Sequence, residues 1–167
     1  MTPEQQVAEM ERIISYTFND RHLAVESLYH GGLPIHFDSD WITPQRNERL
    51  AIMGRLLRAA DWTGIIRNDL VTNKKLASHG RALGLHICVI KDPGTGTVSD
   101  GMIATTFEAI IGAVFVDSSD SLDAVHGVVN RLGFFDHPLF MVTYYESRTL
   151  ALTNTQMMIN LRYLDPG

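Results

Sequence analysis

"NERLAIMGRLL", Asn47 to Leu57, is the stretch whose reading decides the fold. It opens on a polar triplet and continues as a helix, with Asn47 placed to cap it. Setting Glu48 at zero and advancing about 100° per residue puts Leu50, Met53, Leu57 and Ala60 on one side. That side is the expected core. Glu48, Ala51, Ile52, Arg55, Arg58 and Ala59 fall on the other, a mixture of polar and small residues facing solvent, a cleft or a partner.

Around this helix the chain reads mostly as further helices with short connections. Thr2, Pro3 and Gln5 make a helix start, with Thr at the cap, Pro at the first helical position and Gln three after the cap. The first helix is expected from about Pro3 to Tyr16, and a second is capped by Asn19 or Asp20. "HGGLP" and "HFDSDWITPQ" read as loop. Asn73 begins "NKKLASHGRAL", which Gly84 ends. "LHICVIK" is either a short strand or an apolar loop. "DPGTGTVSDG" has the glycines of a phosphate cradle but neither the Lys-Ser/Thr ending nor the flanking elements of one, so it reads as turn chemistry. A long helix from about Asp100 to Val116 carries Ile103, Phe107, Ile110, Ile111 and Val114 at helical spacing. Asp120 starts the next. The class is all-α, in one domain, with residues 134–167 as an extension packed on it.

Composition agrees. The 167 residues are 45% hydrophobic and 20% charged, enough to bury a core without disulfides. The formal net charge of -5 lacks the basic footprint of most nucleic-acid-binding domains, although a local basic patch is compatible with it. Cys88 is the one cysteine and excludes an intramolecular disulfide; it fits a reducing compartment. No apolar run approaches the ~20 residues that span a bilayer, and the acidic, polar start is expected to be neither signal nor transit peptide. The expected location is intracellular, cytoplasmic or nuclear, or mitochondrial had a transit peptide been removed, with no membrane partner.

Few residues offer chemistry. The seven histidines form no H-E-x-x-H and no Cys/His metal pair. There is no G-x-S-x-G. What remains is a constellation on two helices. Thr105 and Glu108 lie three apart on the later one, so they share a side. Glu108 sits in the otherwise apolar "TTFEAIIGAVF", where a carboxylate needs a partner.

Four segments together resemble the ribonuclease III domain. "NERLAIMGRLL" is similar to the family's signature helix, N-E-R-L-E-F-L-G-D-A-[VI]-L. "ISYTFNDRHLAVESLYH", "VTNKKLASHGRALGL" and "GMIATTFEAIIGAVFVDSS" resemble family segments on either side, in the family's order, over roughly Ile13 to Arg131. The resemblance implies a helical domain that dimerises through the signature helix and an ancestral Mg²⁺-dependent cut of double-stranded RNA. It places carboxylates at four positions. Here they are Ala51, Arg55, Thr105 and Glu108, so three depart and only Glu108 stands; Glu48 matches an accessory position. The stretch between Arg55 and Asn73 is also shorter than the family's.

Mg²⁺ takes oxygen ligands, mostly carboxylates and phosphates. Ala51 supplies none, Thr105 a neutral one, and Arg55 a fixed positive charge. The sequence therefore predicts no metal, no cofactor and no enzyme, but a pseudoenzyme with vestigial positions Glu48, Ala51, Arg55, Thr105 and Glu108. Arg55 is expected to pair with Glu108, with Glu48 as a second candidate partner; the alternative is an Arg55 that points to solvent and a Glu108 bonded to backbone or water. Ile52 occupies the position where, by the resemblance, an apolar side chain enters the partner subunit. The expected function is a dimeric binding or assembly module, homodimeric or paired with a related protein. Weak duplex RNA binding would run through Arg55 and Arg58. The alternatives are a structural subunit of a mitochondrial ribosome-like particle and a metal-independent residual ribonuclease.

Overall fold

A computed structural model describes residues 1–61 and 72–133, with side chains described for 1–57 and 72–133. Helix α1 (Pro3–Ile14) begins in a capping box, with Thr2 and Gln5 bonding reciprocally, and stops at Ser15, whose φ of 52° is left-handed. Asp20 caps α2 (Arg21–Leu28) by accepting from His22 N. Thr72 caps α4 (Asn73–Ala82), and Ser99 caps α6 (Asp100–Asp117). Helix α7 (Leu122–Arg131) is capped by Ser121 rather than started by Asp120, which sits one residue earlier at φ 63°. Each cap is a short polar side chain bonding a backbone N–H that the helix start would otherwise leave open.

Among the described residues the architecture is all-α with one small addition. The loop expected over "HFDSDWITPQ" contains an antiparallel hairpin, β1 (Ile35–Phe37) with β2 (Asp40–Ile42). Its turn residues Asp38 and Ser39 both have positive φ, at 49° and 75°. Such a turn suits a two-residue hairpin, but three-residue strands are too short to show an alternating pattern. "LHICVIK" is neither strand nor loop at its start: Leu85–Cys88 forms the short helix α5 after Gly84, whose φ is 86°. Ile90 then pairs with Tyr29 in an isolated bridge.

Helix α6 is the centre of the unit Met1–Gly133, packed against α2, α3 (Glu48–Asp61), α4 and α7. It is buried over most of its surface, and Ile103, Phe107, Ile110, Ile111 and Val114 are all in the core as their spacing predicts. Burial on nearly all sides explains why it lacks an amphipathic pattern. The expected extension over 134–167 lies outside the described residues.

Helix α3 is a helix as expected, but its buried face differs. Asn47, Leu50, Ala51 and Gly54 are buried, while Met53 is 36% exposed. The inward face is rotated ~90° from the one that apolar side chains alone select. The reason is backbone contact. A Cβ on Gly54 would lie 2.0 Å from Glu108 O, and one on Gly112 would lie 2.1 Å from Leu50 O. Two helices that meet this closely need small residues at the crossing, so Ala51 and Gly54 go inward and Met53 is displaced outward.

Candidate functional site

The crossing of α3 and α6 brings together four of the residues that sequence singled out. Ala51 is fully buried and ends at its Cβ. Thr105 is half-buried on α6, one turn before Glu108. Glu108 is 4% exposed. Arg55 Nε lies 3.5 Å from Glu108 Oε2, with the arginine side chain 49% exposed. The same Nε donates to Ala51 O at 3.3 Å, one turn back on its own helix. A carboxylate this deep requires positive charge or hydrogen bonds nearby, and the half-exposed guanidinium supplies the charge.

Glu48 is not part of this pair. It is exposed and faces Arg46, with Nε to Oε1 at 3.2 Å. The expected second contact from Arg55 is thus replaced by a nearer arginine just before the helix. Arg58 lies within α3, but its side chain is outside the described residues.

Ile52 is 53% exposed, and Leu56 at 61% and Met53 at 36% flank it. At helical spacing the three form one continuous apolar stripe beside Arg55. Sequence reading identified Ile52 but placed Met53 in the core and did not single out Leu56.

The polar frame around the N-terminus of α3 was not visible in the sequence. Asn47 does not cap the helix with its side chain; its carbonyl accepts from Ala51 N at 2.9 Å. Its Nδ2 instead donates to Ser27 O at 3.1 Å and approaches His30 Nε2 at 2.9 Å. His30 Nε2 also lies 2.8 Å from Thr106 Oγ1 on α6. Burial is the main cause that lowers the His30 pKa, with Arg46 adding to it and Glu48 opposing it. A neutral imidazole can accept at Nε2, which the protonated ring cannot. Beside this cluster, Arg49 grips Glu26 on α2, Nη2 reaching its two oxygens at 3.0 and 2.9 Å. These partners are 17, 76 and 23 residues apart in sequence, so no local spacing signals them.

The protein is similar to Ribonuclease 3 of Psychromonas ingrahamii, 33% identical over 159 residues, covering 83% of this chain and 64% of that protein. It is also similar to Ribonuclease 3 of Fusobacterium nucleatum, 25% identical over 152 residues, covering 77% of the chain and 62% of the relative. The fold matches the nuclease domain of ribonuclease III from Campylobacter jejuni, with a TM-score of 0.57 at 21% identity, over 78% of this chain and 95% of that one. The chain is a ribonuclease III-like family member. No family model matches it. The ribonuclease III-like chain spans less than two thirds of the length of these two curated relatives.

The comparisons overturn one expectation. The chain was expected to be no enzyme, yet the relatives it resembles over most of its length carry an enzyme's name. Nothing in those similarities marks a loss of catalytic residues. The physical reason the expectation fails is that it ran from four side-chain identities to turnover, and a count of metal donors does not by itself decide whether a site reacts.

The donor set is a separate question. The family's chemistry implies Mg²⁺, and the residues at this crossing do not fit it. Ala51 has no side-chain ligand atom, Thr105 offers one neutral oxygen, and Arg55 holds a permanent cation 3.5 Å from the buried carboxylate. Among the described residues no group of three or more His, Cys, Asp or Glu could hold a metal ion. None of their helices is long and apolar enough to cross a membrane.

Proposed function

We propose that this ribonuclease III-like chain engages double-stranded RNA as a two-fold pair, joined through α3. The observation that carries the reading is the face of α3 turned away from α6. Ile52, Met53 and Leu56 stand exposed there, beside Arg55. An apolar stripe on a helix whose opposite face is already sealed is the kind of surface a partner covers. A second Campylobacter jejuni structure, similar to this chain with a TM-score of 0.56 at 22% identity, is described by flexibility "in region involved in dimer formation" of the nuclease domain. Two-fold pairing repeats Arg55, and Arg58 with it, on one assembly. Paired arginines offset the overall net charge of -5 locally, and arginine forks suit phosphate oxygens. The pair is a homodimer, because the stripe is self-complementary in character and an isologous contact needs only one patch.

Fluorescence anisotropy with a blunt RNA duplex tests this at low and moderate salt, with the same samples run on a denaturing gel with and without Mg²⁺. The expected result is sequence-tolerant duplex binding whose affinity falls steeply with salt. Absence of duplex binding at low salt would overturn it. The gel measures turnover directly.

A further inference from the structure

We infer that the Arg55 guanidinium takes the place of a divalent cation at the α3–α6 crossing, so that the positive charge facing the ligand is built into the chain. Three observations converge. Glu108 is 4% exposed and its carboxylate meets Arg55 Nε at 3.5 Å. Among the described residues the ion pair of Arg55 and its bond to Ala51 O both run through Nε. Neither Nη makes a hydrogen bond among the described residues, and the side chain is 49% exposed. One edge of the fork is therefore anchored, while among the described residues the four N–H groups of the Nη atoms are left to an outside anion.

The chemistry matches a phosphodiester. Arginine stays charged at any working pH, and its planar fork bonds two phosphate oxygens at once. A metal ion at the same place would need to displace that cation and make do with one neutral side-chain oxygen from Thr105 and none from Ala51. Anchoring by Glu108 fixes where the guanidinium stands, as a ligand set fixes an ion, but with a charge of one rather than two. The inference rests on the duplex-RNA reading only for the identity of the outside anion.

The test has two arms. In the first, Mn²⁺ is titrated into the protein alone and free Mn²⁺ is followed by electron paramagnetic resonance. The wild-type protein should leave the free-ion signal unchanged at ~1 mM, the upper end of ordinary divalent affinities. An Arg55→Asp, Thr105→Asp double variant, shown folded by circular dichroism, should deplete it. Wild-type binding that Glu108→Gln abolishes would overturn the inference. Silence in both proteins would also overturn it, because the guanidinium would then not be what excludes the ion. In the second arm, duplex affinity is measured at matched ionic strength in EDTA and in Mg²⁺. Equal affinities are expected, and Arg55→Gln should reduce the salt slope by about one per subunit. A metal requirement for binding would overturn the inference. Failure of all duplex binding would sink the function proposed above, while the first arm would still decide this one.

Discussion

Gly54 and Gly112 face each other where α3 crosses α6: a Cβ on Gly112 would come within 3.1 Å of Gly54 N and 2.1 Å of Leu50 O. No side chain lies between the two backbones at that point. The contact places Arg55, one residue after Gly54, against Glu108, one turn before Gly112. A packing requirement and the Arg55–Glu108 ion pair therefore share the same few residues.

Gly54→Ala should destabilise the fold by ~1–3 kcal/mol, the usual range for forcing a methyl group into a filled contact. The carbonyl it strikes is helix backbone and cannot rotate away as a side chain would. Gly127→Ala in α7 is the control. A Cβ there meets nothing within 4 Å, so the same substitution should stabilise by ~0.5–1 kcal/mol through helix propensity. Urea unfolding of the two variants should give opposite signs.

Removing the guanidinium should cost less than removing a fully buried partner. Losing one member of a buried pair costs ~3–5 kcal/mol, but solvent reaches Arg55, which is 49% exposed, and screens the pair. Arg55→Met should therefore destabilise by ~1 kcal/mol. If Glu108→Gln is made in the same background, the loss should be partly recovered, because a neutral amide tolerates the site without a cation. Denaturant midpoints across this double-mutant cycle measure the coupling.

His30 gives the stability a pH dependence of known sign. Its folded pKa lies below the ordinary 6.5, chiefly through burial. The unfolded chain therefore holds more protons in the window from 6.5 down to the folded value, and stability rises with pH across it. The His30 contribution is fully present above 6.5 and is lost as pH falls through that window. Thermal melts at pH 7.5, 6.5 and 5.5 should show a falling Tm. In His30→Gln the slope over this range should flatten, since carboxylates titrate mostly below it.

Ile52→Asp should leave the fold intact, because the side chain is 53% exposed, yet weaken self-association. Sedimentation equilibrium at micromolar concentration should show the mass shifting from dimer toward monomer. A wild-type monomer at that concentration would count against the paired assembly.

Helix positions were largely legible because their signals are local. Thr2 with Gln5, and Asp20, mark boundaries within a few residues of themselves. The long α6 announced itself by Ile103, Phe107, Ile110 and Val114. The meeting of Arg55 with Glu108 was also anticipated, because the family resemblance places the two helices side by side. What escaped depends on distant partners. The outward turn of Met53 follows from a glycine on another helix, and a hydrophobicity count over Glu48 to Asp61 cannot contain it. The His30, Asn47 and Thr106 cluster joins three elements whose residues look unremarkable one at a time. Its only local trace is a histidine two residues past the buried end of α2. The hairpin at Ile35–Ile42 is too brief to impose a period on the sequence.

The direct meeting of backbones at Gly54 and Gly112 also limits how the site can be adjusted. Helices separated by layers of long side chains can slide by small rotamer changes, but here each carbonyl sits in a notch left by a glycine. Translation of α3 along α6 would drive Leu50 O or Glu108 O out of that notch and into a neighbouring side chain. The spacing between positions 55 and 108 is thus a fixed gauge, and the charge presented at this crossing is set by exchanging side chains, not by moving the scaffold.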